Sequence, residues 1–144
     1  MSRVREMIEA SPAAPEFDID ELAAAIGACI DCDQSCTACA DADVAESDVA
    51  EMRRCIGLCL DCADVCAATA RVLSRQTRYD KYLVQRLLEA CVRACDSCAA
   101  ECERHARHHE HCRVCAESCR TCERACRTLL DAQALEELDA LRGG

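Results

Sequence analysis

Cysteine recurs in this chain at steps of three and four residues, and that period constrains the fold more than any other feature. The first block is Cys29, Cys32, Cys36 and Cys39, and the second is Cys55, Cys59, Cys62 and Cys66. The third, "ACVRACDSCAAEC", holds Cys91, Cys95, Cys98 and Cys102. The fourth is Cys112, Cys115, Cys119, Cys122 and Cys126. Within every block the steps alternate between three and four. An α-helix returns to the same face at i+3 and i+4, so each block reads as one helix with its thiols on a single side. Four copies of one such helix must bury that side against each other, which predicts a bundle.

The intervening residues agree. Gly and Pro are nearly absent after Pro15, whereas Ala, Leu, Glu and Arg are abundant, so the local preference is helical almost throughout. Val4, Met7 and Ile8 at helical spacing predict a short first helix, ended by "SPAAPE". Residues 1–17 are therefore read as an N-terminal helix and linker, and residues 18–144 as the Cys-rich bundle. "DADVAESD" separates the first two blocks, with Ser47 or Asp48 as N-cap and Glu51 completing a capping box from Asp48. "SRQTRYD" separates the second and third, where Thr77 and Asp80 make the same signature. "HARHHEH" contains no breaker, but the register slips there. The alternation runs from Cys102 to His105, His109 and Cys112, and Cys115 then follows after a second step of three. A fold-back near His108 to Glu110 accounts for the slip. The expected fold is all-α, an antiparallel up-down-up-down four-helix bundle with a short N-terminal helix and a Cys-lined core.

Seventeen cysteines in 144 residues would flag a disulfide scaffold in a secreted chain. Here the opening "MSRVREMIEASPAAPEF" carries charges every few residues and no apolar run of a secretory leader. A cytoplasmic, reducing setting is expected, and there thiols serve metals before disulfides. The spacing points the same way. Residues three or four apart on a helix have Cβ atoms about 5–6 Å apart, too far for the roughly 3.5–4.5 Å of a disulfide. No stretch approaches a membrane span. A net charge of −10 without a basic stripe argues against nucleic acid as partner. The CxxC pairs fall mid-helix rather than at an exposed helix start, and no Ser-His-Asp or Cys-His-Asn arrangement stands out, so an enzyme is not expected.

Thiolates on adjacent turns can grip one soft ion, and such ligands select Cu(I), zinc or iron–sulfur clusters. Structural zinc uses four ligands per ion, so 17 thiols would serve about four ions. Iron–sulfur clusters draw four cysteines from loop-rich runs unlike this seam. Cu(I) accepts two or three thiolates, and one thiolate can bridge two ions, which sets a stoichiometric limit near ~17 ions. High-capacity Cu(I) storage is the leading reading. An iron–sulfur or zinc-binding thiolate protein with an electron-transfer or redox role is the alternative.

Extending the seams past their cysteines distinguishes the two ends. Leu22, Ile26, Leu73, Val84, Leu87, Leu88, Leu129 and Leu130 form an apolar plug. At the other end lie Asp43, Met52, His105 and His109, with His108 and His111 in the adjoining turn. Those are all four histidines of the chain. Imidazole and thioether groups bind Cu(I) and exchange it more readily than a buried thiolate cluster, so the histidine end is read as the mouth through which copper is admitted. The acidic flanking residues, such as Asp31, Asp33, Asp61, Asp64 and Asp96, are read as a solvated face without a ligand role.

The repeated CxxxC and CxxC steps on four helices, with histidines at one end, resemble the cytosolic branch of the four-helix-bundle copper storage proteins over about residues 18 to 130. The resemblance implies many Cu(I) ions inside each bundle, assembly into a homotetramer, and a role in storing copper or buffering its toxicity. Copper donors or chaperones are the implied partners. The family's histidine-lined entrance maps by position onto His105, His109 and His111. His108 lies off the seam, and Met52 and Asp43 carry no assigned role.

Overall fold

A computed structural model describes residues 2–143. It contains five α-helices: α1 (Val4–Ala10), α2 (Ile19–Ala45), α3 (Arg53–Leu73), α4 (Lys81–His105) and α5 (Glu110–Gly143). A single 3₁₀ turn, Val49–Met52, precedes α3, and no strand occurs among the described residues. Each cysteine block occupies one of the four long helices. α2 packs on α3 and α5, and α4 packs on the same two, while the diagonal pairs make no close backbone contact. This is the expected square, up-down-up-down bundle. α1 lies outside the square against α2, tied to it by the Arg5–Asp20 ion pair.

Two helix starts differ from expectation. Asp80 itself caps α4, its carboxylate accepting the backbone N–H groups of Tyr82 and Leu83 at 3.0 and 3.1 Å, so Thr77 lies outside the helix. Asp48 precedes the 3₁₀ turn without a side-chain cap, because α3 begins only at Arg53. Its carboxylate instead meets His109, and no capping box with Glu51 forms. Asp18 caps α2 by accepting from Glu21 N–H at 3.0 Å. Asp18 and Glu21 have the spacing of a capping box, a signal present in the sequence. The fold-back near His108 to Glu110 is as expected: α4 ends at His105 and α5 begins at Glu110.

At the plug end Leu22, Ile26, Leu73, Val84, Leu88 and Leu129 are buried. Leu87 and Leu130 are only half-buried, because each lies one residue round the helix from a seam position already filled by Leu88 or Leu129. Phe17 joins this end, its ring edge-on to Tyr79 at 5.7 Å, and the Tyr79 hydroxyl accepts from Gln133 at 2.7 Å. A second tie lies on the α4–α5 face. Arg120 reaches Asp96 at 2.7 Å, Glu103 at 2.9 Å and Glu123 at 2.9 Å.

The Arg120 guanidinium holds the Asp96 and Glu103 carboxyls below their ordinary values, through its hydrogen bonds first and its charge second. Acids lowered in the folded state stabilise it above the unfolded values of roughly 4, and that contribution vanishes as pH falls through the lowered folded values. Arg120→Ala should therefore cost about 1 kcal/mol or less at pH 7. Near pH 2 the cost should disappear, as read by denaturant unfolding of the apoprotein. An equal loss at both pH values would show that the arginine acts through its stem rather than its charge.

Candidate metal centre

The helical period turns all 17 cysteines inward. Every one is buried and none is in a disulfide. Their sulfurs form a continuous column. Near the plug Cys29 lies 3.8 Å from Cys126, 3.6 Å from Cys122 and 4.0 Å from Cys91. Further along, Cys32 contacts Cys62 at 3.8 Å and Cys119 at 3.7 Å. Cys36 contacts Cys119 at 3.6 Å, Cys115 at 3.7 Å and, across the diagonal, Cys98 at 3.9 Å. Cys55 and Cys59 each lie 3.8 Å from Cys102, and Cys39 lies 4.0 Å from Cys112. The diagonal backbones stay apart, but their small thiol side chains meet on the axis.

These separations have the scale of a metal–thiolate site. An ion ~2.3 Å from four thiolates sets neighbouring sulfurs ~3.8 Å apart. Sets of four sulfurs mutually within 4.8 Å include Cys29, Cys91, Cys122, Cys126 and, next along the axis, Cys32, Cys66, Cys95, Cys122. Then come Cys32, Cys36, Cys62, Cys119, followed by Cys36, Cys98, Cys115, Cys119 and by Cys39, Cys59, Cys102, Cys115. Consecutive tetrads share members: Cys122, Cys32, Cys36, Cys119 and Cys115 each belong to two. Shared sulfurs of this kind let one thiolate bridge two neighbouring ions, which suits the two- and three-coordinate preference of Cu(I).

The protonation of the column is set by thiol–thiol hydrogen bonds. Those from Cys122 and then Cys126 lower the Cys29 thiol. Cys66 is pushed up, first by its hydrogen bond to Cys122, with burial adding in the same direction.

At the mouth, the structure brings three histidines together and leaves the fourth out. His105, His109 and His111 are partly buried and form a line. The ring centroids of His105 and His109 are 6.5 Å apart, and those of His109 and His111 stack at 5.6 Å. His108 is exposed. His111 faces two ways: Nδ1 lies 3.3 Å from the Cys39 sulfur and 3.6 Å from that of Cys112, and Nε2 meets Glu46 at 3.1 Å. His109 contacts Glu46 through Nδ1 and Asp48 through Nε2, the latter at 3.2 Å. His105 Nε2 lies 2.9 Å from buried Glu101, which also accepts from Arg104 at 2.8 Å.

Carboxylates on imidazole nitrogens fix ring orientation, as outer partners do around metal sites. Sequence reading missed Glu46, Asp48 and Glu101 as partners. Glu101 was accessible as the i−4 neighbour of His105, but nothing local links Glu46 to His111. Asp43 and Met52 are fully buried here. Burial pushes the Asp43 carboxyl up to about 8. One of its oxygens accepts from Cys112 at 3.7 Å, and the other has no hydrogen-bond partner.

The profile of the copper storage protein family matches residues 18–131. The chain belongs to the copper storage protein family. That bears out the resemblance carried by the cysteine seam, and with it copper storage as the function. No curated protein matches the chain, but solved structures do. The copper storage protein Ccsp of Streptomyces lividans, loaded with 10 copper equivalents, is 50% identical with a TM-score of 0.87, covering 89% of this chain and 98% of that one. A five-copper structure of a cytosolic copper storage protein from Streptomyces lividans is 54% identical with a TM-score of 0.77, covering 78% and 93%. Copper, in several ions per chain, is thus the cargo of this fold.

Sharing of thiols between tetrads has a measurable consequence. Among the five tetrads named above, Cys36 and Cys119 occur together in two, and Cys29 and Cys126 together in one. Cys36→Ser with Cys119→Ser should therefore lower Cu(I) capacity more than Cys29→Ser with Cys126→Ser, read by anaerobic titration. Equal losses would show that the thiols act in separate sets.

Proposed function

We propose that this chain is a cytoplasmic, high-capacity Cu(I) store whose ligands are the 17 core cysteines. Its role is to buffer copper and limit its toxicity rather than to catalyse a reaction. The observation that carries this reading is the sharing of thiols between successive tetrads, which suits a chain of bridged ions. In this reading residues 18–144 are the storage unit, and the N-terminal helix and linker, residues 1–17, pack on it without supplying ligands. Bundles assemble into a homotetramer and exchange copper with donor proteins or chaperones.

His105, His109 and His111 admit the ion. The stacked rings lead toward Cys39 and Cys112, and His111 stands within 3.6 Å of both sulfurs. The carboxylates of Glu46, Asp48 and Glu101 hold the rings in place and add an attractive field for a cation at the mouth. An ion taken up by imidazole is handed to a two-thiol site and then inward, where more thiolates hold it. Each step inward exchanges neutral ligands for thiolates, so binding tightens with depth. Loading displaces thiol protons, so it releases acid and weakens as pH falls.

Titrating reduced apoprotein with Cu(I) against a competing chelator tests the store. Saturation well above four ions per chain is expected, and saturation at or below four would overturn it in favour of zinc-type sites. The triple variant His105→Ala, His109→Ala, His111→Ala should slow loading severalfold while leaving capacity nearly unchanged. Unaltered stopped-flow loading would reject the histidine route.

A further inference from the structure

The thiol column is closed at both ends, so an ion reaches it only if part of the protein moves. None of the 17 cysteines is more than 2% exposed. One end is filled by Leu22, Leu73, Leu88 and Leu129, one from each long helix. At the mouth Asp43 touches Cys112, and Met52 is fully buried one turn before Cys55.

One element at the mouth is suited to move. The connection from α2 to α3, residues 46–52, is a bend followed by the single 3₁₀ turn Val49–Met52. That turn packs only on the two helices it joins, and Ser47, Val49, Ala50 and Glu51 are exposed. Its backbone bonds are local, Glu46 N–H to the Asp43 carbonyl and Glu51 N–H to that of Asp48. No backbone hydrogen bond joins it to the α4–α5 connection among the described residues. Segments so lightly tied open at lower free energy than packed helices do.

Across the mouth the connection is held by side chains. Glu46 meets Nδ1 of His109 and, at 3.1 Å, Nε2 of His111, while Asp48 meets Nε2 of His109 at 3.2 Å. These contacts occupy the nitrogens an arriving ion needs. His109 has a carboxylate on each ring nitrogen, so it offers a metal no free donor while both stand. An ion on His109 must displace Glu46 or Asp48, and either displacement removes a tie. A ligand that binds only the untied form shifts the protein toward it. His105 differs, because its partner Glu101 lies one turn away on the same helix.

We propose that residues 46–52 are a lid latched to His109 and His111 by Glu46 and Asp48, and that copper arriving on the histidines unlatches it. Opening carries Met52 off the column and uncovers Cys55, with Cys39 and Cys112 beside it. When the ion passes inward the imidazoles are freed, the carboxylates return and the column closes behind it. The latch thereby keeps the thiols from solvent between loading events.

The copper-driven step rests on the histidine entry proposed above, whereas the latch itself is tested without copper. Reduced apoprotein, freed of reductant under anaerobic conditions, is pulsed with iodoacetamide so briefly that most chains stay unlabelled. Peptide mass spectrometry then locates the labelled sites. In the wild type Cys39, Cys55 and Cys112 should label before Cys29, Cys91 and Cys126. Glu46→Ala with Asp48→Ala should speed the mouth sites roughly fivefold or more, the scale of losing a few partly exposed ion pairs. The plug sites should keep wild-type rates, which misfolding would not allow. His109→Ala should act in the same direction, and combining it with the carboxylate changes should add little, because the same contacts are removed. Equal labelling of all 17 sites would show that only global unfolding exposes them and would overturn the latch. So would mouth labelling that these variants leave unchanged. During Cu(I) loading, pulsed hydrogen exchange across residues 46–52 should rise and then fall back. Flat exchange in a protein whose triple-histidine variant loads slowly would overturn copper-driven unlatching and leave histidine entry standing.

Discussion

Sulfur–sulfur contact across the bundle axis is the interaction on which the rest of this structure depends. Thiol side chains are short, so four helices can close around them until sulfurs on both neighbouring and diagonal helices approach within 4.0 Å. Leucine in the same positions would hold the helices apart and fill the axis with methyl groups. The core is therefore a ligand set before it is a hydrophobic core. A buried cysteine stabilises a fold only as a small apolar residue, so the leucines, isoleucine and Phe17 of the plug carry much of the apoprotein's tertiary stability. Ions bound by the column add stability by mass action to the extent that they bind the assembled column more tightly than the dispersed thiols of the unfolded chain.

Direction follows from what caps each end of that column. One end is sealed by large apolar side chains. The other is capped by buried Met52 and Asp43 and by partly buried imidazoles held on carboxylates, and imidazoles bind Cu(I) more weakly and reversibly than clustered thiolates. The carboxylates of the mouth come from the connection between α2 and α3, which carries Glu46 and Asp48, and from α4, where Glu101 lies one turn before His105.

The helices, their inward faces and the sense of the column were legible because a period of three and four is a local property. Cys91 to Cys102 mark a helix face whatever surrounds them, and the drift of the period at Cys112 and Cys115 marks the turn near His108. The helix starts were less legible. Thr77 and Asp80 satisfy a capping pattern on paper, but Tyr79 packs against Phe17 and Gln133, which holds the preceding segment out of the helix and leaves Asp80 as the cap. Asp48 looks like a cap and is instead drawn to His109, a partner 61 residues away. Leu87 and Leu130 look like plug residues, yet Leu88 and Leu129 take the inward positions.

Helical period and side-chain chemistry, both readable along the chain, assign which residues face inward, that they are thiols rather than hydrocarbon, and which ends are apolar and imidazole-bearing. Helix packing alone settles which thiols meet, that Cys32, Cys36, Cys115, Cys119 and Cys122 are each shared between tetrads, and that Glu46, Asp48 and Glu101 orient the histidines. Those relations depend on the axial offset and rotation of four packed helices. A local pattern repeats identically under many such offsets, and close packing selects one.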